Sequence, residues 1–370
     1  MERFDYLIVG CGIAGITMAE RLANAAGKSC LVIDRRPHIG GNCYDCRDEH
    51  GVLIHPYGPH YFRTNSEAVV HYLSRFTEWR PTEYRVLSFI DGSHYNFPIN
   101  LNTFEQIIGR PSTEEEMKRT LTEWRVPIKE PQNSEEVIVS QVGWRLYEMF
   151  FKNYTIKQWG CHPRELEPSV CGRIPIRTNR DDRYLGESFQ ALPRDGYTAL
   201  FERMLASPRI CVKTGVDFQE AAKFAKWEKL IYTGMIDAYY DFRFGRLPYR
   251  SLRFEHEHHA MHFFQPAMQV NFPNEQEFTR IIEIKHATGQ RIEGTSIIKE
   301  YPQEFGPGKE AYYPVPTAAS SRIYQRYREL ADREQDVIFI GRLASYRYYN
   351  MDQVVAAALT RFAKLFPAAE

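Results

Sequence analysis

Asp5-Tyr6-Leu7-Ile8-Val9-Gly10-Cys11-Gly12-Ile13-Ala14-Gly15 opens the chain, and a second apolar run, Cys30 to Ile33, ends in Asp34. The glycines of the first stretch have separate tasks. Gly10 permits a tight turn, Gly12 lets the backbone approach a pyrophosphate, and Gly15 lets the following helix pack closely on the strand. The diphosphate then rests on free N–H groups at the helix N-terminus. Asp34 lies about twenty residues on, where a carboxylate accepts hydrogen bonds from a ribose and repels a 2′-phosphate, so NADP is disfavoured. Strand, turn, apolar helix and acid together predict an α/β chain with a Rossmann-like dinucleotide-binding domain.

Just beyond the acid, Asp34-Arg35-Arg36-Pro37-His38-Ile39-Gly40-Gly41-Asn42 carries a second glycine pair. Gly40 and Gly41 are read as letting another stretch of backbone approach an extended cofactor. This arrangement resembles FAD-dependent enzymes more than NAD dehydrogenases. FAD is the expected cofactor, with Asn42 beside it.

A chain of 370 residues is too long for one compact core and predicts two or three domains. Its 47 basic and 47 acidic residues cancel, so no global field draws it to nucleic acid or to an anionic membrane. An anionic substrate must therefore be held by local arginines. Apolar runs stop well short of a membrane span, and Met1-Glu2-Arg3-Phe4-Asp5 lacks the pattern of a signal peptide, which together predict a soluble, cytoplasmic protein. Seven cysteines without an export signal argue for free thiols. Cys43-Tyr44-Asp45-Cys46 is a C-x-x-C whose redox reading is the minor one, and His256, His258, His259 and His262 read as a polar strand face, with no metal expected.

Tyr84 to Ile90 and His94 to Ile99 read as a hairpin joined at Asp91-Gly92. Helices come next: one capped by Asn102 and ending near Gly109, one opened by a Ser112/Glu115 capping box and running to about Trp124, and one from Ser134 with Val139, Val142, Leu146, Met149 and Phe150 on its core face. Ile210 to Val212 and Lys229 to Tyr232 read as strands rejoining the nucleotide sheet, and 249–300 as an antiparallel sheet. Val337 to Ile340, then Gly341-Arg342, is a buried-type strand. A helix from Met351 could aim its positive N-terminus at a flavin pyrimidine.

The middle of the chain carries longer motifs: Tyr57-Gly58-Pro59-His60, Tyr154-Thr155-Ile156-Lys157-Gln158-Trp159-Gly160, Arg173-Ile174-Pro175-Ile176-Arg177, Gly196-Tyr197-Thr198, Phe278-Thr279-Arg280-Ile281, Tyr312-Tyr313-Pro314-Val315 and Gly341-Arg342-Leu343-Ala344, with Asp237, Tyr249-Arg250 and Arg253-Phe254 between. In this order they resemble the UDP-galactopyranose mutase family over nearly the whole chain. The resemblance implies a flavin domain assembled from 1–80, 200–240 and 325–370, a helical domain over 101–170 with a mobile substrate lid, and a twisted antiparallel sheet domain from 81–100, 171–199 and 241–324. It also implies an isomerase that interconverts the pyranose and furanose forms of a UDP-sugar, with N5 of reduced FAD attacking the anomeric carbon, and a homodimer.

By the same resemblance Arg173 and Arg280 hold the diphosphate, Tyr154 stacks on uracil, and Tyr184, Tyr313 and Tyr348 reach the phosphates or sugar. Trp159 walls the sugar pocket, and His60, Gly341, Arg342 and Met351 lie against the flavin. The assignment makes chemical sense, because breaking the anomeric C–O bond leaves a diphosphate whose growing charge forked arginine donors neutralise. Two positions depart from the family pattern: Arg63 stands where many members have histidine, and Asn350 replaces an aspartate. An arginine and a neutral amide would make the pocket more electropositive and suit an N-acetyl carbonyl, so UDP-N-acetylgalactosamine is the alternative substrate. A flavin oxidoreductase of the amine-oxidase kind shares the glycine turns, and lacks a use for two arginines poised for a diphosphate.

Overall fold

The structure, a computed structural model, describes residues 1–367. Five parallel strands form the nucleotide sheet in the order Ile210–Thr214, Cys30–Asp34, Glu2–Val9, Ala225–Tyr232 and Val337–Phe339. Cys30 to Ile33 is apolar without alternation because both faces are covered: Leu31 and Ile33 pack on one side, Cys30 and Val32 on the other. The helices Ile13–Asn24 and Met351–Leu365 lie together on the second face, where Ile16, Leu22, Val355 and Ala358 are fully buried. All strands of this sheet run the same way, so their carboxyl ends and the loops beyond them open on one edge, where ligands of such folds bind.

A second sheet of seven strands runs Tyr313–Pro314, Tyr249–His259, Thr295–Glu304, Arg280–Ile282, Gln269–Asn271, Val86–Ile90 and Ser93–Phe97. It is not wholly antiparallel as expected, since Gln269–Asn271 joins Val86 to Ser88 in parallel. The hairpin turn at Asp91-Gly92 has both residues at positive φ, 48° and 77°, which matches the twist of the strands it joins. Phe189–Pro193, expected with this sheet, pairs instead with Phe62–Thr64 and Trp79–Pro81, tying 171–199 back to the N-terminal segment.

A helical region packs on the second sheet, on Val86, Ile90 and Phe97, and its first two caps fall one or two residues from their predicted places. Asn100, not Asn102, caps Leu101–Ile108 by accepting from Thr103 N, and Thr113, not Ser112, caps Glu114–Trp124. Ser112 Oγ instead donates to Glu116 Oε2 at 2.7 Å. Val139, Val142, Leu146 and Phe150 are buried as predicted, and Met149 partly so. The helix Ser134–Tyr147 is broken at Gly143, at φ 76°, a position that needs glycine, since a Cβ there would sit 2.1 Å from the Trp124 carbonyl oxygen. A short π-turn, Glu148–Lys152, then leads into the helix Asn153–Trp159.

Candidate active site

The glycine turn is built by close approach. A Cβ on Gly15 would fall 2.1 Å from the Gly10 carbonyl oxygen, and one on Gly41 would fall 2.9 Å from Gly12 Cα. The second glycine pair therefore packs on the first, with Gly40 N donating to Cys11 O at 2.7 Å. Asp34 braces the same turn: Oδ2 accepts from Cys11 N at 2.8 Å and Oδ1 from Arg36 N at 2.9 Å. Each carboxylate oxygen retains a lone pair for a ribose hydroxyl. Gly12 begins the helix Ile13–Asn24 with no side-chain cap, and a Cβ there would meet nothing nearer than 3.9 Å. Uncapped helix N–H groups beside open space fit a dinucleotide diphosphate. Gly341, at φ 97°, lies against Ala14 at the other side of the turn.

A cavity of about 970 Å³ adjoins this turn. Asn42, His60, Arg63, Trp159, Arg173, Tyr184, Arg280, Tyr313, Arg342, Tyr348, Asn350 and Met351 all line it, so residues far apart in sequence meet in one space. Tyr154 is not in the lining itself. It is half-buried close to Arg280: burial raises its hydroxyl, and the Arg280 charge pulls against that shift. The aromatic wall is compact: Tyr313 and Tyr348 are 5.3 Å apart between ring centres, and Trp159 is 5.8 Å from Tyr348.

Three arginines converge on that wall. Arg173 lies 4.4 Å over the Tyr348 ring, with its surface open to the cavity, and Arg342 lies 5.4 Å from the same ring. Burial pushes the Tyr348 hydroxyl up, but Arg173 and Arg342, with Arg280, outweigh it and bring it down to about 8. Arg342 is aimed by its own Nη2, which donates to the Tyr349 carbonyl at 2.7 Å. Arg280 is aimed by a carboxylate that no sequence motif singles out. Arg280 and Glu300 are directly opposite on neighbouring strands, and Arg280 Nη2 donates to Glu300 Oε2 at 2.7 Å. Arg280 Nε is buried with no partner among the described residues, a donor left for something that enters the cavity. Glu300 leaves no signal in the sequence, because its role depends on cross-strand register.

Burial, aided by His55 and by the positive charges of Arg342 and Arg280, pushes the His60 ring down to about 3. It is neutral, and its Nδ1 lies 2.8 Å from the Gly58 carbonyl, so Nδ1 carries the proton and Nε2 is an acceptor. Arg63 does not add free positive charge as expected, because its Nε donates to Glu187 Oε1 at 2.9 Å and Glu187 lines the same cavity. Asn350 precedes the helix Met351–Leu365, where its N–H donates to Gln353 Oε1 at 2.9 Å. Among the described residues the seven cysteines are unpaired; Cys43 is buried, with its thiol pushed up to about 12. His258 stacks on His50 at 3.7 Å, on the second sheet.

A family model described as UDP-galactopyranose mutase matches residues 149–348, which hold Trp159, Arg173, Tyr184, Arg280, Tyr313 and Tyr348. The chain belongs to the UDP-galactopyranose mutase family. With the family come its isomerase class and its cofactor, FAD. A model described as NAD(P)-binding Rossmann-like domain matches residues 8–76, which include both glycine turns. Over 97% of its length the chain is 36% identical to a probable UDP-galactopyranose mutase of Klebsiella pneumoniae, covering 94% of that protein. It is equally similar, 36% over 95% of its length, to a dTDP-fucopyranose mutase of Escherichia coli, covering 96% of it. The crystal structure of a reduced UDP-galactopyranose mutase superposes with a TM-score of 0.79 at 18% identity, covering 99% of this mutase-family chain and 96% of the other. No helix among the described residues is long and apolar enough to cross a membrane.

Proposed function

We propose that the protein interconverts UDP-galactopyranose and UDP-galactofuranose with reduced FAD bound on the glycine turns. The reading rests on one observation above all: Arg173 and Arg280 line a single cavity that adjoins the dinucleotide turn. Reduced FAD, when bound, supplies a nucleophile for the anomeric carbon. The protein's own work is then to bind the leaving diphosphate and release it again. Arg173 and the free Nε of Arg280 provide charged donors where negative charge grows, which is worth more in a partly buried site than in water. Burial raises the Tyr313 hydroxyl, so it stays a neutral donor. Tyr154 takes the uracil ring, Trp159 walls the sugar, Tyr184 and Tyr348 add hydroxyls, and neutral His60 offers an acceptor on the flavin side. Gly10, Gly12, Gly15, Asp34, Gly41, Asn42, Gly341, Arg342 and Met351 hold the cofactor. Chromatography of the sugar nucleotide after incubation with reduced enzyme tests the assignment.

A second reading concerns the sugar. The chain is 36% identical to mutases named for two different sugar nucleotides, and Arg63 and Asn350 are departures that line the pocket. Although Glu187 offsets its charge, Arg63 retains N–H donors for an N-acetyl carbonyl. UDP-N-acetylgalactosamine is therefore the substrate to assay beside UDP-galactose. We further read the protein as cytoplasmic, and on the family resemblance as a homodimer, an oligomeric state that sedimentation in solution tests.

A further inference from the structure

Lys157 is a half-buried cation that, among the described residues, neither a carboxylate nor the cavity accounts for. It lies in the helix Asn153–Trp159, which carries Tyr154 and Trp159. Its Nζ donates to three backbone carbonyls of one loop: Phe272, Gln276 at 2.8 Å and Phe278 at 3.2 Å. An ammonium has three donors, so the loop satisfies it completely. Burial pulls the amine down to about 8, and no charged neighbour contributes to that shift. A charge kept without a counter-ion marks a contact whose geometry is specified by dipoles alone.

The loop that receives it is the one that leads into Arg280. Phe272 N closes the loop by donating to Thr279 O at 2.8 Å, and Thr279 N donates to Glu300 O at 2.9 Å, so Arg280 leaves the loop already in register with its carboxylate. Two further ties hold the same pair of segments. Asn153 Nδ2 donates to Asn274 Oδ1 at 3.0 Å, and Asn274 Nδ2 donates to Met149 O at 3.4 Å. At the other end of the helix Arg250, buried, donates from Nε to Gln158 O at 3.0 Å and from Nη2 to Lys157 O at 3.1 Å, where a cation also suits the helix dipole. The helix cannot slide on the sheet while these hold, and of these side chains Lys157 is the one that grips the Arg280 loop by three points.

We propose that Lys157 is a positioning residue: it locks the helix bearing Tyr154 and Trp159 against the loop that aims Arg280, and so sets the span between the nucleobase end and the diphosphate end of the binding cleft. This rests on the cleft taking a nucleoside diphosphate sugar as proposed above. UDP, measured by calorimetry on the flavin-loaded enzyme, is the probe. Native enzyme that fails to bind UDP would refute that reading itself, and with it this one. If native enzyme binds, Lys157→Gln is expected to weaken UDP on the order of tenfold while flavin absorbance stays at the native level, because a small misplacement of a binding group is costly even when the fold survives. Lys157→Met is the second variant. In an Arg280→Ala background the further loss from Lys157→Gln should be smaller than in the native background, since the residue acts partly through Arg280. Unchanged UDP affinity in either variant, or losses that multiply fully in the double variant, overturn the proposal. So does loss of flavin in both variants, which would make Lys157 a folding residue.

Discussion

Arg280 and Glu300 share one ion pair at 2.7 Å, yet among the described residues Arg280 Nε and Glu300 Oε1, both buried, have no partner, so the pair is only half satisfied. Arg173 has no such carboxylate among the described residues; it lies on the face of Tyr348. The two arginines assigned to the diphosphate are therefore held by different physics, and their removal should look different.

Arg173→Ala and Arg280→Ala should each cut kcat/KM by about 10²–10³-fold, as loss of a charge-stabilising donor does. Only Arg280→Ala should also destabilise the fold, by about 3–5 kcal/mol, because it strands the fully buried Glu300 charge. Denaturant unfolding of both variants checks the difference. Equal stability would mean Glu300 finds another partner or a proton.

Tyr348 predicts the alkaline behaviour. Below about pH 8 its hydroxyl is neutral and Arg173 and Arg342 are free for phosphate; above it a phenolate competes for them. Measured at low substrate, kcat/KM should fall as pH rises through 8, and Tyr348→Phe should remove that limb while costing one hydrogen-bond donor at neutral pH. A native profile that stays flat to pH 9 would count against it.

Gly15→Ala should yield colourless protein. Its Cβ would sit 2.1 Å from the Gly10 carbonyl, so the turn must open and lose both its packing, at a cost of roughly 1–3 kcal/mol or more, and the surface that takes the diphosphate. Absorbance at the flavin bands after purification reports it directly.

Much of the fold and cofactor site is legible in the sequence, because the signals are local. Gly10, Gly12, Gly15 and Asp34 are set by a turn and the strands beside it, the strand at Val337 by an unbroken apolar run, and the helix at Met351 by the helical spacing of Val354, Val355, Leu359 and Phe362. Two caps fall elsewhere because Asn100 and Thr113 compete with equally good neighbours, and only the tertiary entry of the chain chooses among them. Glu300 and the grip of Lys157 are invisible for a different reason. Glu300 meets Arg280 through exact cross-strand register, and Lys157 reaches a loop carbonyl 121 residues away, so neither leaves a pattern along the chain. Arg63 is visible as a departure, whereas Glu187, which offsets it, is not, since the two stand 124 residues apart.

Sugar choice should turn on that contact. If Arg63 reads an N-acetyl carbonyl, Arg63→His will depress turnover of UDP-N-acetylgalactosamine more than that of UDP-galactose, by roughly the 10–200-fold that one pocket contact is worth. Parallel assays of both sugar nucleotides decide it. Equal losses on the two substrates would leave Arg63 as a partner of Glu187 and nothing more.

The central claim is that the reduced flavin, held on the paired glycine turns, works together with the arginine-lined cavity on a nucleotide sugar without net redox change. Purified enzyme should be incubated with UDP-galactofuranose or UDP-galactopyranose, with and without dithionite, and the products separated by chromatography. Interconversion only after reduction, with no reductant consumed per turnover, is the predicted result. Equal conversion by fully oxidised enzyme would contradict it.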